Sequence, residues 1–140
     1  MDTRGDLTPR TAASAQEAYA ALELPAETVT KAVAEAGTDS TDAYREFLDD
    51  DVLETAQQSL FAASLAVHVG TVEEYDTWLA DHASLEPSMT GHEDVAGRAW
   101  HPVWPREVVA AVSFADSPDA AVATVRRQAF GKYYRSMIDP

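Results

Sequence analysis

Five side chains have the types and placement for binding chemistry: Arg98, Trp100, His101, Arg126 and Tyr133. On a helical wheel Arg126 falls inside the apolar stripe of the last helix, between Val122 and Tyr133. A guanidinium there must be paired or must reach outward along its stem. One reading is an anion clamp that grips a carboxylate or phosphate through the planar fork. The other is a structural ion pair, the commoner fate of a buried arginine, with Glu54 as its expected partner. Trp100-His101-Pro102-Val103-Trp104-Pro105 is the densest aromatic segment. Two indoles around an X-Pro pair can wall a small-molecule pocket, with His101 donating or accepting a proton at its rim. Alternatively, the prolines end one strand and turn the chain toward the next while the indoles roof a sheet. Arg126, Arg98, Trp100 and His101 together would form a small-ligand or anion site, conceivable also as the site of an enzyme.

Other motifs carry less. The run from Arg126 to Arg135 mixes four cations with three aromatics, a combination that suits nucleic acid. Phe130 and Tyr133 are claimed by the core stripe, however, leaving Arg127, Lys132, Tyr134 and Arg135 for solvent, and cations near a helix C-terminus simply suit its dipole. His92-Glu93-Asp94 reads as a polar hairpin loop, because the spaced ligand pairs of a zinc site and the His-Glu-x-x-His motif are missing. Asp49, Asp50 and Asp51 are explained by capping rather than by magnesium, and His68 by packing. No phosphate-cradling glycine loop, dinucleotide fingerprint or nucleophile elbow occurs. No catalytic residue, metal or cofactor is therefore assigned.

Composition narrows the classes further. The formal charge is -14 over 140 residues, with a pI near 4.4, and Lys31 and Lys132 are the lysines among ten basic residues. The bias toward Asp, Glu, Ala and Arg resembles that of salt-adapted proteins, in which molar salt screens self-repulsion to within roughly 3 Å; the alternative is an ordinary acidic protein from a mesophile. Residues 1–81 hold 17 acids against 4 bases and residues 82–140 hold 7 against 6, so an anion would approach the second half. With no cysteine there is no disulfide, thiolate nucleophile or sulfur-ligated metal. Neither a signal segment nor a run long enough to span a membrane is visible, which implies a soluble cytoplasmic protein.

Positioning these residues falls to one long segment, residues 51–71, read as a buried central helix ending at Gly70. Thr71-Val-Glu-Glu74 directly after it is a capping box that opens a helix over 72–82. Residues 1–7 are expected to be loosely ordered. Thr8-Pro9 starts a helix over 9–23, Pro25 restarts the pattern up to Gly37, and a short helix follows Asp39–Asp42. The breakers of residues 84–115 separate short alternating runs: 107–114, 95–101 and a weaker 84–90, demoted to a sheet edge by Pro87. These predict a three-stranded antiparallel meander. Ser117-Pro118-Asp119 launches the last helix, 118–138, with Val122, Val125, Ala129, Tyr133 and Met137 inward.

The segments ETAQQSLFAASLAVHVGTVEEYDTWLAD, GRAWHPVW and DAAVATVRRQAFGKYYR resemble those of a small haloarchaeal family, an uncharacterised domain of unknown function. The likeness spans residues 41–137. It implies a salt-adapted, cytoplasmic protein and brings no catalytic motif. The expectation is a single α+β domain, with four or five helices around a buried central helix, the meander and a C-terminal helix. Its role is read as a non-enzymatic interaction or regulatory module with a protein partner or a second copy. A small-molecule or anion binder is the alternative, and nucleic-acid association through the last helix the third reading.

Overall fold

The computed structural model describes residues 1–37 and 50–138. Its fold is α+β, with a mixed five-stranded sheet. The strands are β1 (Asp2–Arg4), β2 (Val67–Thr71), β3 (Glu86–Thr90), β4 (Gly97–Val103) and β5 (Val108–Phe114), in the spatial order β1-β2-β4-β5-β3. The helices are α1 (Ala12–Ala20), α2 (Glu23–Gly37), α3 (Asp50–Ser64), α4 (Val72–Asp81) and α5 (Pro118–Ala129); α5 runs through a π-helical turn (Phe130–Tyr134) into α6 (Arg135–Ile138). The short helix expected after Asp42 lies outside the described residues.

The central element is β4, every residue of which is buried, rather than the helix before it. The expected central helix stops at Ser64 and only Phe61 along it is buried, because Val67, Val69 and Thr71 favour an extended chain and alternate in β2. Gly70 therefore lies within a strand, not at a helix end. What ends α3 comes from far along the chain. The backbone amides of Asp6 and Leu7 donate to the Ser64 carbonyl at 3.2 and 2.9 Å, and Arg126 Nε donates to the Leu65 carbonyl at 3.1 Å. These donors satisfy carbonyls that a helix end leaves without partners. Residues 2–4 are not loose: β1 pairs with β2, opposing Thr3 to His68.

The expected meander is also corrected. β4 and β5 form its antiparallel pair, but β3 lies parallel to β5 at the far edge, where Pro87 was expected to put it. β2 and β3 thus run in the same direction, two strands apart, and parallel strands need a crossover. Helix α4 supplies it, opened by the expected capping box: Thr71 Oγ1 accepts from the Glu74 amide and the Glu74 carboxylate from the Thr71 amide. The loop from β3 back to β4 passes over the end of β5 at Gly91, where φ is +113° and a Cβ would lie 2.1 Å from Ser113 Oγ. Helix α1 starts at Ala12 rather than at Pro9, because Thr11 and Ser14 form the capping box.

Two cores result, one on each face of the sheet. On one face Phe61 packs edge-on to Tyr134 at 5.4 Å, with Phe130, Leu65, Val125 and Met137 around them. On the other, Tyr75, Leu85, Trp100, Val109 and Ala111 cluster beneath α4. Each fully buried large side chain contributes roughly 2 kcal/mol from the removal of apolar area from water.

The N-terminal strap crosses the end of α3 at Gly5, whose φ is +87° and whose missing Cβ would lie 2.6 Å from the Leu65 carbonyl and 2.9 Å from Arg126 Nη2. Gly5→Ala is therefore expected to cost about 2 kcal/mol. Urea denaturation measures it; an unchanged midpoint would mean that the strap does not hold the helix end.

Candidate functional site

A strand sends successive side chains to opposite faces, and β4 does this to the residues singled out above. Ala99, His101 and Val103 face α3 and α5, whereas Arg98 and Trp100 face α4. Arg126 and Tyr133, on the α5 side, share His101's side of the sheet. The five residues do not converge on one site. Arg98 and Trp100 stay together, and His101, Arg126 and Tyr133 are divided from them by the sheet.

His101 is completely buried. Its Nδ1 donates to the Ala66 carbonyl at 2.6 Å, so Nε2 carries the lone pair and accepts from the Tyr134 hydroxyl at 2.6 Å. Burial lowers its pKa to about 4 and raises that of Tyr134. The neutral pair is a fixed internal strut with no opening to a ligand. The inward tyrosine is Tyr134, not Tyr133, because the π turn inserts one residue and rotates everything beyond it by about 100°. Tyr133 is left half-buried, and its carbonyl accepts from Ser136 Oγ at 3.2 Å.

Arg126 is neither an ion pair nor an open clamp. Besides Leu65, it donates through Nη2 to the Arg4 carbonyl at 3.2 Å, stitching β1 to the end of α3. Its affinity for a proton is lowered first by burial and then by the Arg4 cation. Glu54, the expected partner, instead accepts from Gln58 Nε2 at 3.2 Å.

Arg98 has the different surroundings of a cleft wall. It is 3% exposed, and its guanidinium donates only to carbonyls: Nη1 to Val95 at 2.6 Å and Gly97 at 2.9 Å, Nη2 to Glu93 at 3.0 Å. Among the described residues no carboxylate lies within ion-pair distance of it. Arg98 lines a cleft of about 680 Å³ together with Tyr75, Asp76, Leu79, Met89 and Glu93. The Tyr75 hydroxyl is buried in that wall without a hydrogen-bond partner among the described residues, and burial raises its pKa against the opposing pull of Arg98. Trp100 does not line the cleft; it backs Tyr75, ring to ring at 5.1 Å. A cation without a counter-charge beside an unsatisfied hydroxyl can hold an anion, since both groups are already desolvated. Among the described residues no group of three metal-capable side chains is present.

Tyr75 is not among the residues singled out from the sequence. The available signal was its hydroxyl, which a buried stripe cannot satisfy by itself. His68 is the packing histidine it was expected to be, between Trp78 at 5.8 Å and Trp100 at 5.6 Å, with Nδ1 in a hydrogen bond to Thr3 Oγ1.

Because the folded pKa of His101 lies below the ordinary 6.5, the unfolded chain takes up the proton first. Stability is therefore full above pH 6.5 and is lost as the pH falls toward about 4, by roughly 3 kcal/mol in all. Urea denaturation across that window measures the slope, and His101→Gln should flatten it. A slope unaltered by this substitution would place the titrating group elsewhere.

No helix among the described residues is long and apolar enough to cross a membrane. No curated protein and no solved structure matches the chain. A family model matches residues 6–135, reaching further toward the N-terminus than the resemblance read from the sequence, and by this match the chain belongs to DUF5809, a family of unknown function.

Proposed function

We propose that the protein binds a small anionic molecule with an apolar body in the cleft between α4 and the strand edge at β3. The observation that carries this reading is the juxtaposition on one open cleft of Arg98 and the Tyr75 hydroxyl, both buried, the one without a carboxylate partner and the other without a hydrogen-bond partner among the described residues. Leu79 and Met89 supply an apolar wall for the rest of the ligand, and Asp76 and Glu93 disfavour a second negative charge. Binding without turnover is the activity assigned. The acidic remainder of the surface fits a salt-adapted cytoplasmic protein, in which the ligand's approach is screened from the net charge.

Benzoate, an apolar ring with a single carboxylate, is a suitable probe. In a heteronuclear NMR titration, resonances of Tyr75, Leu79, Met89 and Arg98 should shift together and saturate, and Tyr75→Phe should weaken binding about fivefold by removing one hydrogen bond. Tyr75→Phe keeps the ring and leaves no new buried polar group, so a folded variant that binds as tightly as the parent overturns the assignment.

A second reading, association with another copy of the chain, has its own support. Leu24, Val29 and Val33 on α2 are 72%, 48% and 53% exposed, and the two valines line a groove of about 400 Å³ with Val52 and Ala56 of α3. Thr30 Oγ1 in the same groove is buried without a partner among the described residues. A two-fold pair would cover both grooves at once. Light scattering at molar potassium chloride should give twice the monomer mass, and Val33→Glu should halve it; a monomer at every concentration removes this reading.

A further inference from the structure

On the sheet face away from the Arg98 cleft, the π turn brings together residues that an ordinary helix would separate. Arg127 and Arg135 are eight positions apart, and on a continuous α-helix they would diverge by about 80°. The residue inserted at Phe130–Tyr134 takes most of that angle back, and the same insertion sends Tyr134 into the core. Arg127 and Arg135 consequently line one cleft of about 240 Å³, about 11 Å apart along the axis. Thr55, Gln58 and Ser59 of α3 form the opposite wall, with Ala62 and Phe130 as the floor.

The chemistry of this cleft is selective. Both arginines are exposed, and no carboxylate among the described residues lies within ion-pair distance of either, although the chain carries 24 acids. Glu54, the nearest acid along α3, is held by Gln58 and does not line the cleft. Arg135 is oriented by stacking over the Phe130 ring at 5.2 Å, and Arg127 Nη2 donates to Thr124 Oγ1 at 3.4 Å. Two guanidinium forks, two hydroxyls and an amide supply donors on both sides of a space the size of one compact group. A monocarboxylate would leave one fork unused, whereas a phosphate dianion has oxygens for both.

We infer that this cleft is a binding site for a phosphate monoester, gripped by Arg127 and Arg135 and hydrogen-bonded by Thr55, Gln58 and Ser59. Lys132 lies on the same turn but outside the lining, so it separates a built site from a merely basic surface. The site is independent of the anion cleft proposed above, and either can fail without the other.

The test is an NMR titration of the full chain at constant ionic strength with glycerol phosphate, alongside inorganic phosphate and single-stranded DNA. Glycerol phosphate should shift amides of residues 55–59 and 127–135 saturably, and more tightly as its second proton leaves near pH 6, a value of about 6 being usual for a monoester. Arg127→Ala and Arg135→Ala should each weaken binding about tenfold, the size of one lost charge-assisted contact. Arg135→Lys should recover only part of the loss, because it returns the charge without the fork, and Lys132→Ala should leave the affinity within about twofold. All three positions are exposed, and circular dichroism checks that each variant is folded. Binding of inorganic phosphate as tight as that of the ester, and equally dependent on the two arginines, still supports the site and places recognition in the phosphate group. The inference is overturned if no saturable shift appears, if Lys132→Ala costs as much as the arginine variants, or if DNA occupies these residues and glycerol phosphate does not displace it. The last outcome would make the helix a polyanion surface.

Discussion

Burial of β4 on both faces is the constraint from which the rest of the structure follows. A strand covered on one side can tolerate polar residues on the other, but the titratable side chains of β4 have to find partners inside the protein. His101 and Arg98 are its two polar members, and each is resolved by partners contributed from elsewhere. His101 is held between the Ala66 carbonyl and Tyr134, which fixes the junction before β2 and the phase of the C-terminal helix. Arg98 is held by two carbonyls of the loop ahead of its own strand, those of Glu93 and Val95, and by that of Gly97 at the start of the strand. The helices on the two faces are there to close a strand that cannot be left half open.

Two arginines, Arg98 and Arg126, serve here as backbone binders despite an abundance of acids, whereas Arg4 pairs with Asp2 and Asp119. Arg126 and Arg98 both spend their donors on carbonyls, and the two sets of carbonyls have one property in common: each lies where the chain leaves regular structure. Helix ends and irregular loops expose acceptors that no ladder satisfies, and a planar fork reaches two or three at once. The difference between the two residues is their setting. Arg126 is packed between the N-terminal strap and α3, where Gly5 leaves no room for anything else. Arg98 borders open volume, beside a hydroxyl that has no hydrogen-bond partner among the described residues.

What the sequence made legible was the part encoded locally. The Thr71–Glu74 box, the alternation of Val108, Ala110, Val112 and Phe114, the edge position implied by Pro87 and the start of α5 at Pro118 are all patterns within a few residues, and all have the expected structural consequence, although the Ser117 side chain makes no capping hydrogen bond. The end of α3 was not legible, because its carbonyls are satisfied by Asp6, Leu7 and Arg126, which stand far from it in the chain. The sheet order was hidden for a related reason: strands adjacent in sequence favoured a meander, and nothing local announces that β3 returns past two strands to pair in parallel. The exchange of Tyr133 for Tyr134 came from a single inserted residue, which a 3.6-residue period cannot register. At the site, Arg98 and Trp100 were recognised but grouped with His101, although strand alternation alone separates 98 and 100 from 101.

The π turn links architecture to chemistry. An inserted residue in a helix is unfavourable in isolation, because it strains the hydrogen-bond ladder and opens the axis. It persists where the surroundings reward the altered phase, and here two gains point the same way. With the insertion, Tyr134 reaches His101 and Phe130 meets Phe61, completing the buried strut that β4 requires. Without it, Tyr134 would rotate toward solvent and the Nε2 of His101 would be left unpaired in the core, a loss comparable to the strain itself. The same rotation sets Arg127 and Arg135 side by side on the outer surface. A requirement of the core thus dictates the arrangement of cations outside it, which is how a strongly acidic chain comes to carry a locally positive cleft at the end of its last helix.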